Sequence, residues 1–103
     1  MQFLKKVVYN GWNCNLMKSS YTDGGRVALC LVAGEDDEFP GEPVATCTVN
    51  IPEEPLADGE VLIKDYSENV GMAEFLEREG VVKKTGRVVA SGYVTIPVCK
   101  LLI

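Results

Sequence analysis

Carboxylates dominate the chemistry available to this chain. Fourteen of its fifteen aspartates and glutamates fall between residues 34 and 79, with only Lys64 and Arg78 among them, a net charge of −12. The other residues set Asp23 against eight bases, a net +7, so the whole chain carries −5. There is no histidine. That removes the common general base at neutral pH, and with it the Ser-His-Asp and Cys-His arrangements. Ser67 lies near Lys64, but no S-x-x-K pattern is present, and Ser67 reads as a helix-start residue. Where carboxylates are this dense, close pairs arise by chance, so pairing alone does not indicate acid–base catalysis.

Other chemistries fail on spacing. Counted from Asp36, Gly41 takes the sixth place of a calcium loop. Glu38 then falls at position three, Pro40 at five and Cys47 at twelve, where a bidentate glutamate is required. Gly80 to Gly86 contains Lys84-Thr85 but not the order of a phosphate-binding loop. Cys14, Cys30, Cys47 and Cys99 form no C-x-x-C pair, and three of them sit in apolar runs. A zinc site would need all four to converge. The reading is core thiols in a reducing cytosol, with no metal and no cofactor.

The composition that carries these residues is globular. At 103 residues and 47% hydrophobic, the chain suits one domain over residues 1–103 that buries roughly 65% of its unfolded surface. No apolar run approaches the ~20 residues of a membrane span. Lys5 and Lys6 interrupt the only apolar stretch near the start, which argues against a signal peptide. A cytoplasmic protein is expected.

The elements that must position the acids follow from pattern. Residues 2–9 form a strand ending at the turn signal Asn10-Gly11, and Asn15 to Tyr21 is a weaker strand. Residues 26–33, apolar on both faces, form a central strand; a hairpin pivots at Asp23-Gly24-Gly25. Residues 34–43 are a polar loop with two prolines and two glycines. Residues 44–51 form a β-branched strand with Ala45, Cys47, Val49 and Ile51 on one side. A second acidic loop spans 52–59, and a short strand 60–64. One helix lies within 65–80. Asp65 or Ser67 caps it, Asp65 with Glu68 fits a capping box, and Val70, Met72, Ala73, Phe75 and Leu76 are its apolar face. Gly71 weakens its first turn, and Gly80-Val81 closes it. Lys83 to Gly86 reads as a turn, followed by one or two closing strands over 87–90 and 92–103. Pro97 marks a sheet edge or a bulge. The sum is an α+β domain: a mostly antiparallel β-sheet of five to six strands with one α-helix packed on it.

Trp12, among turn residues, is either an interface anchor or a lid on the core; Tyr66 reads alike. Lys83, Lys84 and Arg87 complement the helix C-terminus or contact a phosphate backbone.

The segment Gly59 to Asn69 with its Lys64-Asp65-Tyr66-Ser67-Glu68-Asn69, the helix with Gly71-Met72, Gly80-Val81, Thr85-Gly86-Arg87, and Ser91 to Lys100 resemble a small uncharacterised family. It is carried by plasmids, integrative elements and phages of Gram-positive bacteria. Asp23-Gly24-Gly25 and the strand from Val44 to Pro52 fit it too, so the resemblance covers most of the chain. It transfers no enzymatic activity. Its genetic setting implies anti-defence work, specifically that of a type II-A anti-CRISPR protein: a non-catalytic inhibitor of a type II CRISPR effector nuclease in the bacterial host. Such effectors hold guide RNA and target DNA in basic channels, where an acidic protein can stand in for nucleic acid.

Three hypotheses follow. The first is an inhibitor that binds a basic nucleic-acid enzyme through Glu35, Asp36, Asp37, Glu38, Phe39, Glu42 and Tyr66, with Phe39 as apolar anchor. The second is a nucleic-acid-binding accessory protein of a mobile element using Lys5, Lys6, Lys83, Lys84 and Arg87. The third is an enzyme on a carboxylate site.

Overall fold

The computed structural model describes all residues from Met1 to Ile103. Eight strands fall into two four-stranded antiparallel sheets that share one α-helix. The α+β, antiparallel reading therefore holds; the strands are more numerous than five or six and divide between two sheets. The first sheet has the order β1 (Gln2–Tyr9), β2 (Trp12–Ser20), β3 (Val27–Ala33), β4 (Pro43–Thr46). The second comprises β5 (Thr48–Val49), β6 (Glu60–Ile63), β7 (Val82–Ser91) and β8 (Val94–Leu101), ordered β5-β6-β8-β7.

The first sheet is a meander built by its turn residues. Tyr9 pairs with Trp12 across Asn10 and Gly11, whose φ of 50° and 77° give the twist a two-residue hairpin needs. The second hairpin turns at Asp23-Gly24-Gly25 as expected, closed by Tyr21 N donating to Arg26 O at 2.8 Å. β3 lies between β2 and β4, which accounts for its apolar residues on both faces.

The expected strand 44–51 is split at Cys47, where the chain leaves one sheet for the other. Ala45 and Cys47 pack into the main core, whereas Val49 and Ile51 pack against Leu62, Ile96 and Val98 on the outer face of the second sheet. The four residues do not share one side, because the crossing intervenes. Its polar groups are satisfied. Cys47 N donates to Leu29 O (2.9 Å) and Lys64 N to Cys47 O (2.8 Å). The buried Thr48 hydroxyl lies 2.7 Å from the Tyr21 hydroxyl and accepts from Leu29 N (3.2 Å). Asn69, 2% exposed, donates to Thr46 O at 2.6 Å.

The helix is shorter than expected. A 3-10 turn, Ser67–Asn69, precedes α1 (Met72–Arg78), and Gly71 stands at its N-cap with φ 93° rather than inside its first turn. A left-handed residue cannot continue a right-handed helix, so Gly71 breaks the 65–80 run. Asp65 still caps α1, accepting from Ala73 N at 3.0 Å. There is no capping box, because Glu68 pairs with Lys64 (2.7 Å). Met72, Ala73, Phe75 and Leu76 are buried, but Val70, outside the helix, is exposed. Phe75 meets Tyr9 edge to face at 5.1 Å, and Lys5 Nζ donates to Glu79 O near the helix C-terminus at 2.8 Å. The main core joins α1 to both sheets through Leu16, Leu31, Ile63 and Val82.

Lys83 to Gly86 is not a turn. It lies inside β7, where the register against β8 shifts between Lys84 and Val88. Gly86, at φ 89°, serves a bulge there, and Thr85 Oγ1 donates to Val98 O at 2.8 Å. This is the bulge that Pro97 required, since Pro97 pairs with Val88. β8 is not an edge strand; the β6 ladder stops at Val98, so no second neighbour asks for the missing N–H of Pro97.

All four cysteines are unpaired thiols. Burial pushes Cys47 up to about 12 and Cys99 up to about 11, so neither forms thiolate readily at neutral pH. Cys30, on the outer face of the first sheet and only half-buried, should react first with a thiol reagent under native conditions. All four should titrate after denaturation without reductant. Fewer than four would reveal a disulfide, and early loss of Cys47 would contradict the packing of the crossing.

Candidate functional site

The first acidic segment, residues 34–42, links β3 to β4. Its ends are tied by Ala33 N to Glu42 O (2.8 Å) and Gly41 N to Ala33 O (2.9 Å). Within it Asp37 N donates to Gly34 O (3.1 Å), and Phe39 N donates to Asp37 Oδ1 (2.9 Å), a side-chain turn that fixes the tip. Gly34 stands in a tight place: a Cβ there would lie 3.2 Å from both Asn13 O and Asp36 Oδ1.

The loop is not independent of the neighbouring strands, as its sequence suggests. Three side chains from β2 reach over to it. Trp12 Nε1 donates to Asp37 Oδ2 (2.7 Å), Asn13 Nδ2 to Asp36 Oδ2 (3.2 Å) and Asn15 Nδ2 to Glu35 Oε1 (3.2 Å). Lys6 on β1 adds an exposed ion pair with Glu35 at 3.6 Å. Glu35, Asp36, Glu38, Phe39 and Glu42 are all exposed, Asp37 half-buried, and Phe39 is 62% exposed rather than folded onto the core. A groove of about 470 Å³ separates loop from hairpin, lined by Lys6, Val8, Asn13, Asn15, Glu35 and Asp36.

The structure thus gathers six of the seven expected site residues. Tyr66 is elsewhere: half-buried against Leu62, Ile96 and Val98 of the second sheet, with the Lys64 ammonium 5.8 Å from its ring centroid. Sequence reasoning missed Asn13 and Asn15. The polar run around Trp12 was the available signal, but a turn explains such a run equally well. Trp12 is neither a core lid nor a free anchor; it is a half-exposed brace for the loop.

Hydrogen bonding holds two of these carboxylates below their usual range. For Asp37 the Phe39 amide contributes most and the Trp12 indole next; for Glu35 a backbone amide, Asn15 and then Lys6. At neutral pH they are fixed anions, suited to meeting cationic donors rather than to shuttling protons. Because folding lowers these values, the bonds favour the folded loop above the ordinary carboxylate range and are lost as pH falls through the lower folded values. Trp12, the only tryptophan, reports this directly. Its fluorescence should stay level from neutrality to the ordinary aspartate value of 3.8 and change only below it. Asp37→Asn should abolish the transition, and a midpoint at or above the ordinary value would show that the indole bond does not form in solution.

The bases of the nucleic-acid reading fall into two groups on separate sheets, with Lys83, Lys84 and Arg87 together on β7 and Lys83 and Lys84 exposed. Lys5 and Lys6 lie on β1 and pair with Glu79 and Glu35; Arg87 on β7 pairs with Glu60. The second acidic loop is structural: Arg26 donates to Ile51 O at 2.8 Å and to Glu54 O, and Ile51 and Leu56 cover the outer face of the second sheet.

Compared with protein-family models, curated proteins and solved structures, the chain gives no match. No helix is long and apolar enough to cross a membrane.

Proposed function

We propose that this protein is a non-catalytic inhibitor that binds a basic nucleic-acid enzyme in the bacterial cytoplasm, a type II CRISPR effector nuclease being the candidate its mobile-element resemblance supplies. One observation carries the reading. Glu35, Asp36 and Asp37 are held outward in fixed positions by Asn15, Asn13 and Trp12, with Phe39 exposed beside them. Carboxylates fixed before binding lose little freedom on meeting a partner, which is how preorganisation raises affinity. Their charge steers approach to a cationic channel. The division of the bases between two sheets and the pairing of Lys5, Lys6 and Arg87 with carboxylates favour this over direct nucleic-acid binding.

An electrophoretic shift assay decides between them. The protein alone should shift neither DNA nor RNA, and added to an effector nuclease it should reduce the guide or target complex. A shift by the protein alone would establish the accessory-factor reading instead. Normal guide and target complexes at saturating protein would remove the effector as partner.

A further inference from the structure

The two sheets treat their outer faces differently. The chain covers the second with its own Ile51, Leu56 and Tyr66. On the first, strand register places Phe3, Met17 and Cys30 side by side across β1, β2 and β3, all opposite in facing to the buried Val7, Leu16, Leu29 and Leu31. Phe3 remains 49% exposed and Val8, further along the same face, 58%. Only the Met1 side chain reaches across this face, its Sδ 3.7 Å from Cys30 Sγ; Phe3 and Val8 stay open to solvent. The uncovered face is continuous with the acidic loop, because Asn13 and Asn15, which hold Asp36 and Glu35, project from this same side of β2.

We propose that this outer face is the apolar centre of the interface whose charged rim is the loop; this rests on the binding role given above and locates it. The occupant is a basic protein surface that presents aliphatic side chains among its cations. Charge selects it. Lys6 is the one cation lining the groove and already faces Glu35, so the surface is net negative. A second copy of the chain would press like charge on like, and nucleic acid would meet carboxylates. An apolar centre inside a charged rim is also the usual anatomy of a specific protein interface.

The test needs no effector. Isotope-labelled protein is titrated with a peptide of alternating arginine and leucine, and with a control carrying serine for leucine. The leucine peptide should perturb the amides of Phe3, Val8, Met17 and Cys30 together with the loop. The control should perturb the loop alone and bind about tenfold more weakly, the scale of a buried interface anchor. A Phe3→Ser, Val8→Ser variant, both sites being half-exposed, should keep the wild-type melting temperature and bind the two peptides equally. Equal binding of both peptides to the wild type, perturbation centred on the second sheet, or a dimer in sedimentation that this variant dissolves would each overturn the proposal. The effector assay separates the two readings. A variant that inhibits as well as wild type, where loop neutralisation fails to inhibit, removes the apolar centre and keeps the function. An effector that ignores the wild type ends the anti-CRISPR reading, and the peptide titration alone then decides this one.

Discussion

Changing Glu35 and Glu38 to Gln and Asp36 and Asp37 to Asn should slow association with a basic effector about 10- to 100-fold at low salt, the range electrostatic steering commands. The fold should hardly notice. The amides at 35 and 36 keep an oxygen able to accept from Asn15 and Asn13; Asp37 meets Trp12 and the Phe39 amide with separate oxygens, so asparagine there keeps one of those two bonds and the loop loses a single exposed hydrogen bond along with its charge. The one ion pair lost, Lys6–Glu35, is solvent-exposed on both sides, and such pairs contribute little. Melting temperature should therefore stay within a few degrees, at about 0.5 kcal/mol or less per surface site. Binding should also become less sensitive to added salt. Stopped-flow association across a salt series checks both statements. Unchanged rates at low salt would move the contact to Glu53–Glu60 or to Glu74, Glu77 and Glu79. A collapse in melting temperature would mean that the charges, or the paired acceptors of Asp37, hold the loop.

Thr48→Val should cost about 1–3 kcal/mol, because the shape survives and the hydroxyl does not. The Leu29 N–H and the Tyr21 hydroxyl both lose their partner at a site where Thr48 is only 2% exposed. For a domain of this length that is a fall of about 5–15 °C in melting temperature. Thr48→Ser keeps the oxygen and should retain most of the stability. A valine variant as stable as the serine one would show that the sheet crossing does not depend on this hydroxyl.

The sequence exposed its turns more faithfully than its faces. Asn10-Gly11 and Asp23-Gly24-Gly25 act locally, through backbone freedom, and both hairpins stand where those residues put them. Gly86 shows the limit of the same logic. A positive φ suits a turn and a bulge equally, and only the pairing of Val88 with Pro97 across the shift tells them apart. Gly71 is the corresponding ambiguity for helices, weak within the first turn yet well suited to stand before it. The break at Cys47 was invisible because β-branched alternation runs straight through it; what divides the strand is the position of a second sheet. The loop residues of the site were legible as exposed acids. Their bracing by Trp12, Asn13 and Asn15 was not, since it depends on β2 lying beside the loop.

The break at Cys47 also divides the chain in time. Every strand of the first sheet precedes it and every strand of the second follows. At synthesis rates of roughly 5 to 20 residues per second, the remaining half of the chain takes roughly 3 to 10 seconds to emerge. During that interval the first meander can pair all its strands from local contacts, but Val7, Leu16, Leu29 and Leu31 have neither α1 nor the second sheet to lie against. The nascent chain passes through a stage in which the apolar inner face of its sheet is bare along with Phe3 and Val8 on the outer one, and it is then that a ribosome-associated chaperone would find most to hold.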